Sequence, residues 1–572
     1  MRKRIVTFVL PWLIATGCVF FGLGRLPLID PDEGRNTEIA REMKDARSFV
    51  IPLYDGMVYL DKPAFYLDLV AASMASFGEN ETAARLPSAI FGMLTLAMVF
   101  LFCRHVYGQR TAAIALLVTG TTPLFIAFSR IVIFDMALTF CVCAALLAGY
   151  LALEAGERPA ARKWSMLTAL AAALATLIKG PVGFLLPLLG LLVYARIERR
   201  TGGSRFFSPA NLLVFFVPVL AWFLAVTWQR PDFPYYGIVK ESLGRFTSSA
   251  EIRRGAPIYY YIPVIAGVFF PWSLLLPEMI LRGWQQRSRA ARTDRMLAIF
   301  AIVVVIFFTI SRSKLPGYVL PGVVALGLLV ARLFDLAMES PAGGSARLIR
   351  RGTTFFAMLC GAAGTLLAAN QLGFLSVQTL FHIRKNEFEV ARVLFQPLLI
   401  ALLALAVAAA GARLSGSIPA MLAVFALPPV LLLGAGIKQL PEYAELRSAR
   451  RLAQSIQARN PTGAEVACYR CFPPGLPFYL KQNVTVITRD GSETASNYVI
   501  FSLQKSSQWP AQVVHKTDAE KWLGAKDQPV FLLSRSTELD MLMKDLATLR
   551  GVTLRELTKG WWGALIPVQG AG

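Results

Sequence analysis

Apolar positions along this chain fall in long unbroken runs, where a soluble core would show alternating or helical-face patterns. The first run covers 5–24, behind the basic start Met1-Arg2-Lys3-Arg4. Further runs centre on 87–103, 111–128, 133–153, 165–178, 181–197, 210–228, 258–277, 296–310, 315–334, 353–371, 394–412 and 417–437. A helix needs about 20 apolar residues to cross the hydrocarbon core, so the pattern predicts about thirteen membrane spans. No small-residue cleavage site follows the first run, which reads as a retained helix. From 438 onward the apolar runs shorten, at 465–469, 484–488, 498–502 and 529–533. Helical patterns at 448–459 and 537–549 lie between them. Strands alternating with helices predict a small α/β domain. The expected fold class is an α-helical polytopic membrane protein, residues 1–437, with a C-terminal α/β domain, residues 438–572.

Composition agrees. Of 572 residues, 55% are hydrophobic and 16% charged, and mean hydropathy is +0.53, which excludes a soluble, disordered or fibrous chain. The net charge of +22 has several sources, and the loops separate them. With the N-terminus inside, the inner loops carry Arg104 and Arg110; Arg158, Arg162 and Lys163; Arg196, Arg199, Arg200 and Arg205; Arg282, Arg287, Arg289, Arg292 and Arg295; and Arg347, Arg350 and Arg351. Short basic loops on one side follow the positive-inside rule. The C-terminus then lies outside, which is the periplasm if the membrane is a bacterial inner membrane. Two outer loops are long, 25–86 and 229–257. Within the first, 59–77 has helical spacing with one polar face and predicts a helix lying on the membrane. Nucleic acid is not an expected partner. No Walker motif or dinucleotide glycine pattern is present, which argues against nucleotide-driven transport.

The outer side also collects the candidate chemistry. Asp30, Asp32, Glu33 and Arg35 follow the first span, with Pro31 stiffening the chain and Gly34 letting it turn. Adjacent carboxylates there suit a general base, a metal site or a clamp for a cationic group; they also suit the first turn of a solvated helix. Lys62, between Asp61 and Pro63, can hold a phosphate or snorkel to lipid headgroups. Asp135 lies on an apolar background, where an acid is costly without a partner; a structural pair with Arg130 is the alternative. Lys179 opens a Lys-Gly-Pro turn at an outer helix end. Arg312 and Lys314 precede a Pro-Gly break, with Tyr318 one turn further on. Irregular backbone at membrane depth survives only where protein or water surrounds it, although a proline starting a helix is the simpler account. Together these groups point to an outward-facing site for an anionic lipid.

Other groups carry less. His105, His382 and His515 are dispersed, which argues against a histidine metal centre. Cys468 and Cys471 form a lone CxxC, readable as a disulfide or as two free thiols. Cys141 and Cys143 lie within a span and read as packing residues.

The stretches Leu28-Ile-Asp-Pro-Asp-Glu-Gly-Arg35, Glu38-Ile-Ala-Arg-Glu-Met43, Tyr59-Leu-Asp-Lys-Pro63, Ala84-Arg-Leu-Pro-Ser88, Lys179-Gly-Pro181 and Ser313-Lys-Leu-Pro-Gly-Tyr318 resemble the bacterial lipid A aminoarabinose transferases. These are membrane glycosyltransferases of the GT-C class, related to protein O-mannosyltransferases and oligosaccharyltransferases. The resemblance covers residues 1–437. It implies inverting transfer of 4-amino-4-deoxy-L-arabinose from undecaprenyl phosphate to lipid A phosphates, the modification behind polymyxin resistance. It implies Asp32, Glu33 and Asp135 as catalytic acids. It implies Arg35, Tyr59 and Lys62 as lining the site, with Lys179, Lys314 and Tyr318 contacting the donor phosphate; Arg312 is grouped with them. A lipid A phosphate is already anionic, so Asp32 and Glu33 are expected to orient the acceptor or bind the sugar's amino group. The expected partners are the lipid-linked donor, the lipid A acceptor and membrane lipids. No cofactor is expected with certainty, and a divalent metal at the acids stays open. Two competing readings are a transporter, which would carry polar residues on both sides of the midplane, and a related transferase acting on another acceptor.

Overall fold

The computed structural model describes residues 9–156, 158–244, 256–276, 289–382, 385–460, 463–506, 508–546 and 552–568. Residues 1–4, Arg282, Arg287, positions 245–255 of the second outer loop, position 277 of the 258–277 run and the end of the 537–549 pattern lie outside the described residues. The chain separates into two compact units. The first comprises Met1–Leu23, Arg85–Ala225 and Ile238–Tyr443; the second comprises Gly24–Ala84, Val226–Gly237 and Ala444–Gly572.

The first unit is helical, as a chain in lipid must be when every backbone donor and acceptor has to be satisfied internally. The protein is embedded in a membrane. Each of the thirteen apolar runs contains helix. Among the described residues, seven helices are long and apolar enough to cross a membrane, or eight with the pair Gln109–Gly120 and Pro123–Ser129, bent by 69°. Proline accounts for much of the difference from thirteen. The 258–277 run breaks into Tyr261–Val268 and Trp272–Leu275 around Pro271. The 417–437 run breaks into Ile418–Ala426 and Pro428–Ala435 at a double proline. A proline supplies no N–H and clashes with the preceding turn. Phe134–Glu154 and Leu320–Glu339 are buried along most of their lengths.

Several basic residues of the short loops are paired. Glu154 takes Arg200 at 2.8 Å and Arg292 at 3.2 Å. Arg295 meets Glu198 at 2.5 Å. Asp335 accepts from Arg110, from Arg332 at 2.8 Å and from the Thr111 hydroxyl at 2.8 Å. The same charges that set loop asymmetry therefore also tie helix ends together.

The second unit is built on a six-stranded sheet in the order β5-β4-β3-β6-β8-β7. Its strands are β3 (Glu465–Tyr469), β4 (Thr485–Thr488), β5 (Val513–His515), β6 (Val530–Arg535), β7 (Arg555–Thr558) and β8 (Trp561–Ile566). β3 to β6 run parallel, while β8 joins β6 antiparallel and carries β7 at the edge. Ala467, Tyr469, Ile487, Leu532 and Leu542 fill the core on one face. The run at 498–502, expected as a strand, is instead inside the helix Asn497–Lys505. The Ser496 side chain accepts from Val499 N at 3.3 Å, and this cap outweighs the β-propensity of Tyr-Val-Ile-Phe.

The first outer loop belongs to this unit. Its helix Asp32–Ala46 packs on the helix Phe65–Phe77 and on the short helix Leu476–Leu480. Helix in the 59–77 segment begins at Phe65, so Tyr59 and Lys62 precede it. The hairpin of β1 (Leu53–Tyr54) and β2 (Met57–Val58) turns at Asp55-Gly56, both with positive φ, 53° and 72°, as a two-residue hairpin loop demands. Gly34 does not make a turn. It lies inside the helix Asp32–Ala46, where a Cβ would come within 2.6 Å of the Gly475 backbone. Gly34→Ala is therefore expected to destabilise the full chain by roughly 1–3 kcal/mol, read as a lower thermal midpoint in detergent. Gly411→Ala, which meets nothing within 4 Å, serves as the control.

Candidate functional site

The expected site residues fall into two groups, one on each unit. In the second unit, the group begins where the helix Asp32–Ala46 starts. Asp32 and Glu33 occupy its first turn, where the helix dipole favours acids. Their environments differ sharply. Glu33 is buried, and its Oε2 accepts the Ile29 N–H at 3.0 Å. It closes the helix entrance. Asp32 remains 44% exposed and pairs with Arg35 at 2.5 Å. Arg35 NH1 also donates to the Ala495 carbonyl at 3.4 Å, while its Nε is buried without a partner. Burial disfavours the Arg35 cation. Tyr59, Asp32, Tyr54 and Asp61 around it more than compensate and raise its pKa. The Tyr54 and Tyr59 rings meet edge to face at 6.2 Å, and the Tyr54 hydroxyl is buried without a partner.

Lys62 donates to the Asp61 carbonyl at 2.5 Å. Asp61 itself was not singled out in the sequence, yet it organises this segment. Its carboxylate accepts the Tyr236 hydroxyl and the backbone N–H groups of Asn497, at 3.1 Å, and Tyr498, at 2.7 Å. Those partners are 175, 436 and 437 residues distant, so no local pattern could reveal them. Deeper along the same helix, Glu38 is buried and grips Arg41 through two bonds of 2.8 and 2.5 Å. Glu42 receives the Gly56 N–H of the β1–β2 turn at 3.0 Å.

In the first unit, Asp135 lies in the first turn of Phe134–Glu154 and Lys179 is the last residue of Pro159–Lys179. Lys179 Nζ donates to Asp135 Oδ1 at 2.7 Å, with both side chains largely buried. The same ammonium stands 4.9 Å from the centre of the Tyr318 ring, a favourable cation–π arrangement. Gly317 lies beside this pair, where a Cβ would come within 3.3 Å of Asp135 Oδ1 and collide with Phe128. The alternative Arg130–Asp135 pair is not formed. Arg130 instead donates to the carbonyls of Cys18, Val19 and Phe21. Lys314 is buried and donates to the Ser311 carbonyl at 2.9 Å, whereas Arg312 is exposed. The neighbouring Ser313 hydroxyl is buried without a hydrogen-bond partner. Among the described residues, no group of three or more His, Cys, Asp and Glu side chains is arranged to hold a metal ion.

Asp30 has a supporting role in the packing of this segment. Its N–H donates to the Arg447 carbonyl at 2.9 Å, and its Oδ1 fills the space that side chains on Gly34 and Gly475 would take. Burial pushes its carboxyl up to about 7 from the usual 3.8. The folded state thus keeps a proton that the unfolded chain releases above about pH 4, and stability falls as pH rises from there through 7. Asp30→Asn is expected to flatten that slope. Thermal midpoints of the full chain between about pH 5 and about pH 8 measure it, and an unchanged slope would show that Asp30 is ionised in the fold.

The Dolichyl-phosphate-mannose-protein mannosyltransferase family matches residues 61–222. The undecaprenyl phosphate-alpha-4-amino-4-deoxy-L-arabinose arabinosyl transferase of Serratia proteamaculans is 29% identical over 321 residues, which is 55% of this chain and 57% of that protein. The transferase of the same name from Pseudomonas aeruginosa strain UCBPP-PA14 is 30% identical over 301 residues, 52% of this chain and 54% of that protein. The chain thus spans somewhat more than half the length of these relatives in sequence. The crystal structure of ArnT from Cupriavidus metallidurans bound to undecaprenyl phosphate is similar with a TM-score of 0.80 and 26% identity, covering 99% of this chain and 98% of that one. The apo form of the same protein gives 0.78. In sequence and in fold alike, the chain is a GT-C-type membrane protein related to ArnT.

Proposed function

We propose that this chain is an inverting glycosyltransferase that moves 4-amino-4-deoxy-L-arabinose from undecaprenyl phosphate to lipid A phosphates on the periplasmic face of the bacterial inner membrane. The observation that carries the reading is the likeness, over nearly the whole chain, to a relative solved with undecaprenyl phosphate bound. In this reading residues 1–437 form the membrane-embedded part with periplasmic loops 25–86 and 229–257, and 438–572 lie on the periplasmic side. Adding a cationic sugar to a lipid A phosphate lowers surface negative charge, which weakens binding of polymyxin and other cationic peptides.

The chemistry follows from the charges. A phosphate oxygen of the acceptor attacks the anomeric carbon opposite the leaving group. The bond from that carbon to the polyprenyl phosphate oxygen breaks, and the electron pair leaves with the lipid phosphate. The acceptor oxygen is already anionic, so no proton has to be removed. What the reaction needs is cationic stabilisation of the departing phosphate in a water-poor setting. Lys179, Lys314 and Arg312, with Tyr318, are the first unit's candidates for that role. Arg35 and Lys62, with Tyr59, are the second unit's substrate-binding candidates, taken by themselves. Asp135 holds Lys179 in position. Asp32, exposed and acidic, binds the amino group of the sugar or orients the acceptor, and Glu33 keeps the helix entrance in shape.

A related transferase with a protein or glycan acceptor is the second reading. The match of residues 61–222 to a protein mannosyltransferase family favours it. Mass spectrometry of lipid A from cells with and without the chain separates the two. The expected result is a pentosamine added to lipid A phosphates only when the chain is present; a hexose on protein instead overturns the aminoarabinose reading.

Two substitutions probe the roles. Lys179→Met is expected to lower transfer by roughly 100-fold or more in a membrane assay, as loss of one phosphate-stabilising group does, while Lys179→Arg retains part of it. Asp32→Asn is expected to lower transfer with little change in thermal midpoint. Full activity in Asp32→Asn would remove that residue from the chemistry.

A further inference from the structure

We infer that Cys468 and Cys471 are a dithiol pair that a thiol–disulfide oxidant on the outer face of the membrane closes to a disulfide. The inference rests on the proposed outward placement of the C-terminal domain.

All seven cysteines are free and buried in the structure. Five of them, Cys18, Cys103, Cys141, Cys143 and Cys360, lie on helices of the first unit. Cys468 and Cys471 stand apart from these in the second unit. Cys468 lies within β3, in register with Leu533 of β6 and Val486 of β4. The strand ends at Tyr469, and Arg470 then takes a left-handed conformation with φ of 49°. Such a backbone is uncommon outside glycine and persists only where its surroundings hold it. The Arg470 N–H donates to the Ile487 carbonyl at 2.8 Å, and its guanidinium meets Glu538 at 3.2 Å. This turn returns Cys471 to the sheet, where its Sγ donates to the Leu533 carbonyl at 3.7 Å. Leu533 is the register partner of Cys468, so the turn brings Cys471 back to the strand position with which Cys468 is paired.

Their chemistry fixes when closure can occur. The neighbouring Cys471 side chain, together with burial, holds the Cys468 thiol well above its usual pKa. Thiolate is the attacking form, so the finished fold exchanges slowly and closure belongs to folding or to local opening. One cysteine thiolate attacks the disulfide of the oxidant, forming a mixed disulfide and releasing one oxidant thiolate. The second cysteine thiolate then attacks the mixed disulfide, forming the Cys468–Cys471 bond and releasing the other. Two electrons pass to the oxidant, whose disulfide becomes two thiols, and the two cysteine protons are released or transferred with them.

The bridge would act on the site through position. Cys471 leads into Phe472-Pro473-Pro474-Gly475. The Phe472 ring packs on Tyr54 at 5.3 Å, and Gly475 lies against Gly34 and the Asp30 carboxylate. The strand end and the segment that seats the Asp32 helix would then be covalently tied.

The test uses the full chain, extracted without reductant, denatured, alkylated with a maleimide and weighed. The expected result is five labelled cysteines of the seven, rising to seven after dithiothreitol. The Cys468→Ser/Cys471→Ser double variant should also show five, with none gained on reduction, and a thermal midpoint insensitive to dithiothreitol, unlike the parent chain. Seven labelled cysteines both before and after equilibration of the purified chain with oxidised glutathione would overturn the inference. A pair that closes with glutathione but arrives reduced from cells overturns closure by an outer oxidant. Lipid A masses from the same cells report separately on the transferase reading.

Discussion

A charge inside an apolar helical bundle persists only where an opposite charge, a backbone group or water answers it, and the helix Phe134–Glu154 is arranged around that constraint. Asp135 near its start is answered by Lys179. Glu154 at its end is answered by Arg200 and Arg292. Between those two points the helix is almost wholly buried, and its polar contacts are few and uncharged: the Thr139 hydroxyl returned to the Asp135 carbonyl, the Cys143 thiol on the Pro321 carbonyl and the Tyr150 hydroxyl with Thr293. The ion pairs therefore pin it at both ends. The pair at Asp135 does more, because it holds an ammonium against an aromatic ring in a setting of low dielectric. A preformed cation of that kind needs no reorganisation when negative charge develops nearby.

The carboxylates of the first outer loop show how neighbours of one residue type are given separate work by their partners. Glu33 turns inward to a backbone N–H. Asp32 turns outward to a guanidinium. Asp30 is packed against two glycines, and burial pushes its carboxyl up to about 7. Asp61 caps a helix far along the chain while its own carbonyl receives Lys62. Asp32 keeps its side chain 44% exposed. Neighbouring acids of one loop thus divide between reaching solvent and holding backbone in place.

The membrane-embedded character and the strands β3, β4 and β6 were legible in the sequence because hydropathy is a local property. The number of long spans was less so: Pro271 and Pro428-Pro429 cut runs whose mean hydropathy is uniform. The helix Asn497–Lys505 was misread because its residues favour strand while its cap, Ser496, and its tertiary acceptor, Asp61, favour helix. The β7–β8 hairpin escaped notice although Gly560, with φ of 81°, marks its turn. The acids at 30–33 and the basic residues at 62, 179 and 314 were visible as types. Which of them was free to act was not, since that depends on partners such as Ala495, Ser311 and Tyr236, placed by the fold and not by spacing. The pairing of Asp135 with Lys179 rather than with the nearer Arg130 is the clearest instance.

The second unit is assembled from three separated stretches, 24–84, 226–237 and 444–572. During synthesis the acids of the first loop emerge long before the Arg447 carbonyl and Gly475 that hold Asp30, or the N–H groups of residues 497 and 498 that hold Asp61. Until then the loop has neither its helix-capping partners nor the sheet on which it rests. The presentation of Asp32 is therefore completed only once residues 447–498 have been made, and a ribosome stalled within the helical bundle would leave the acidic loop unset.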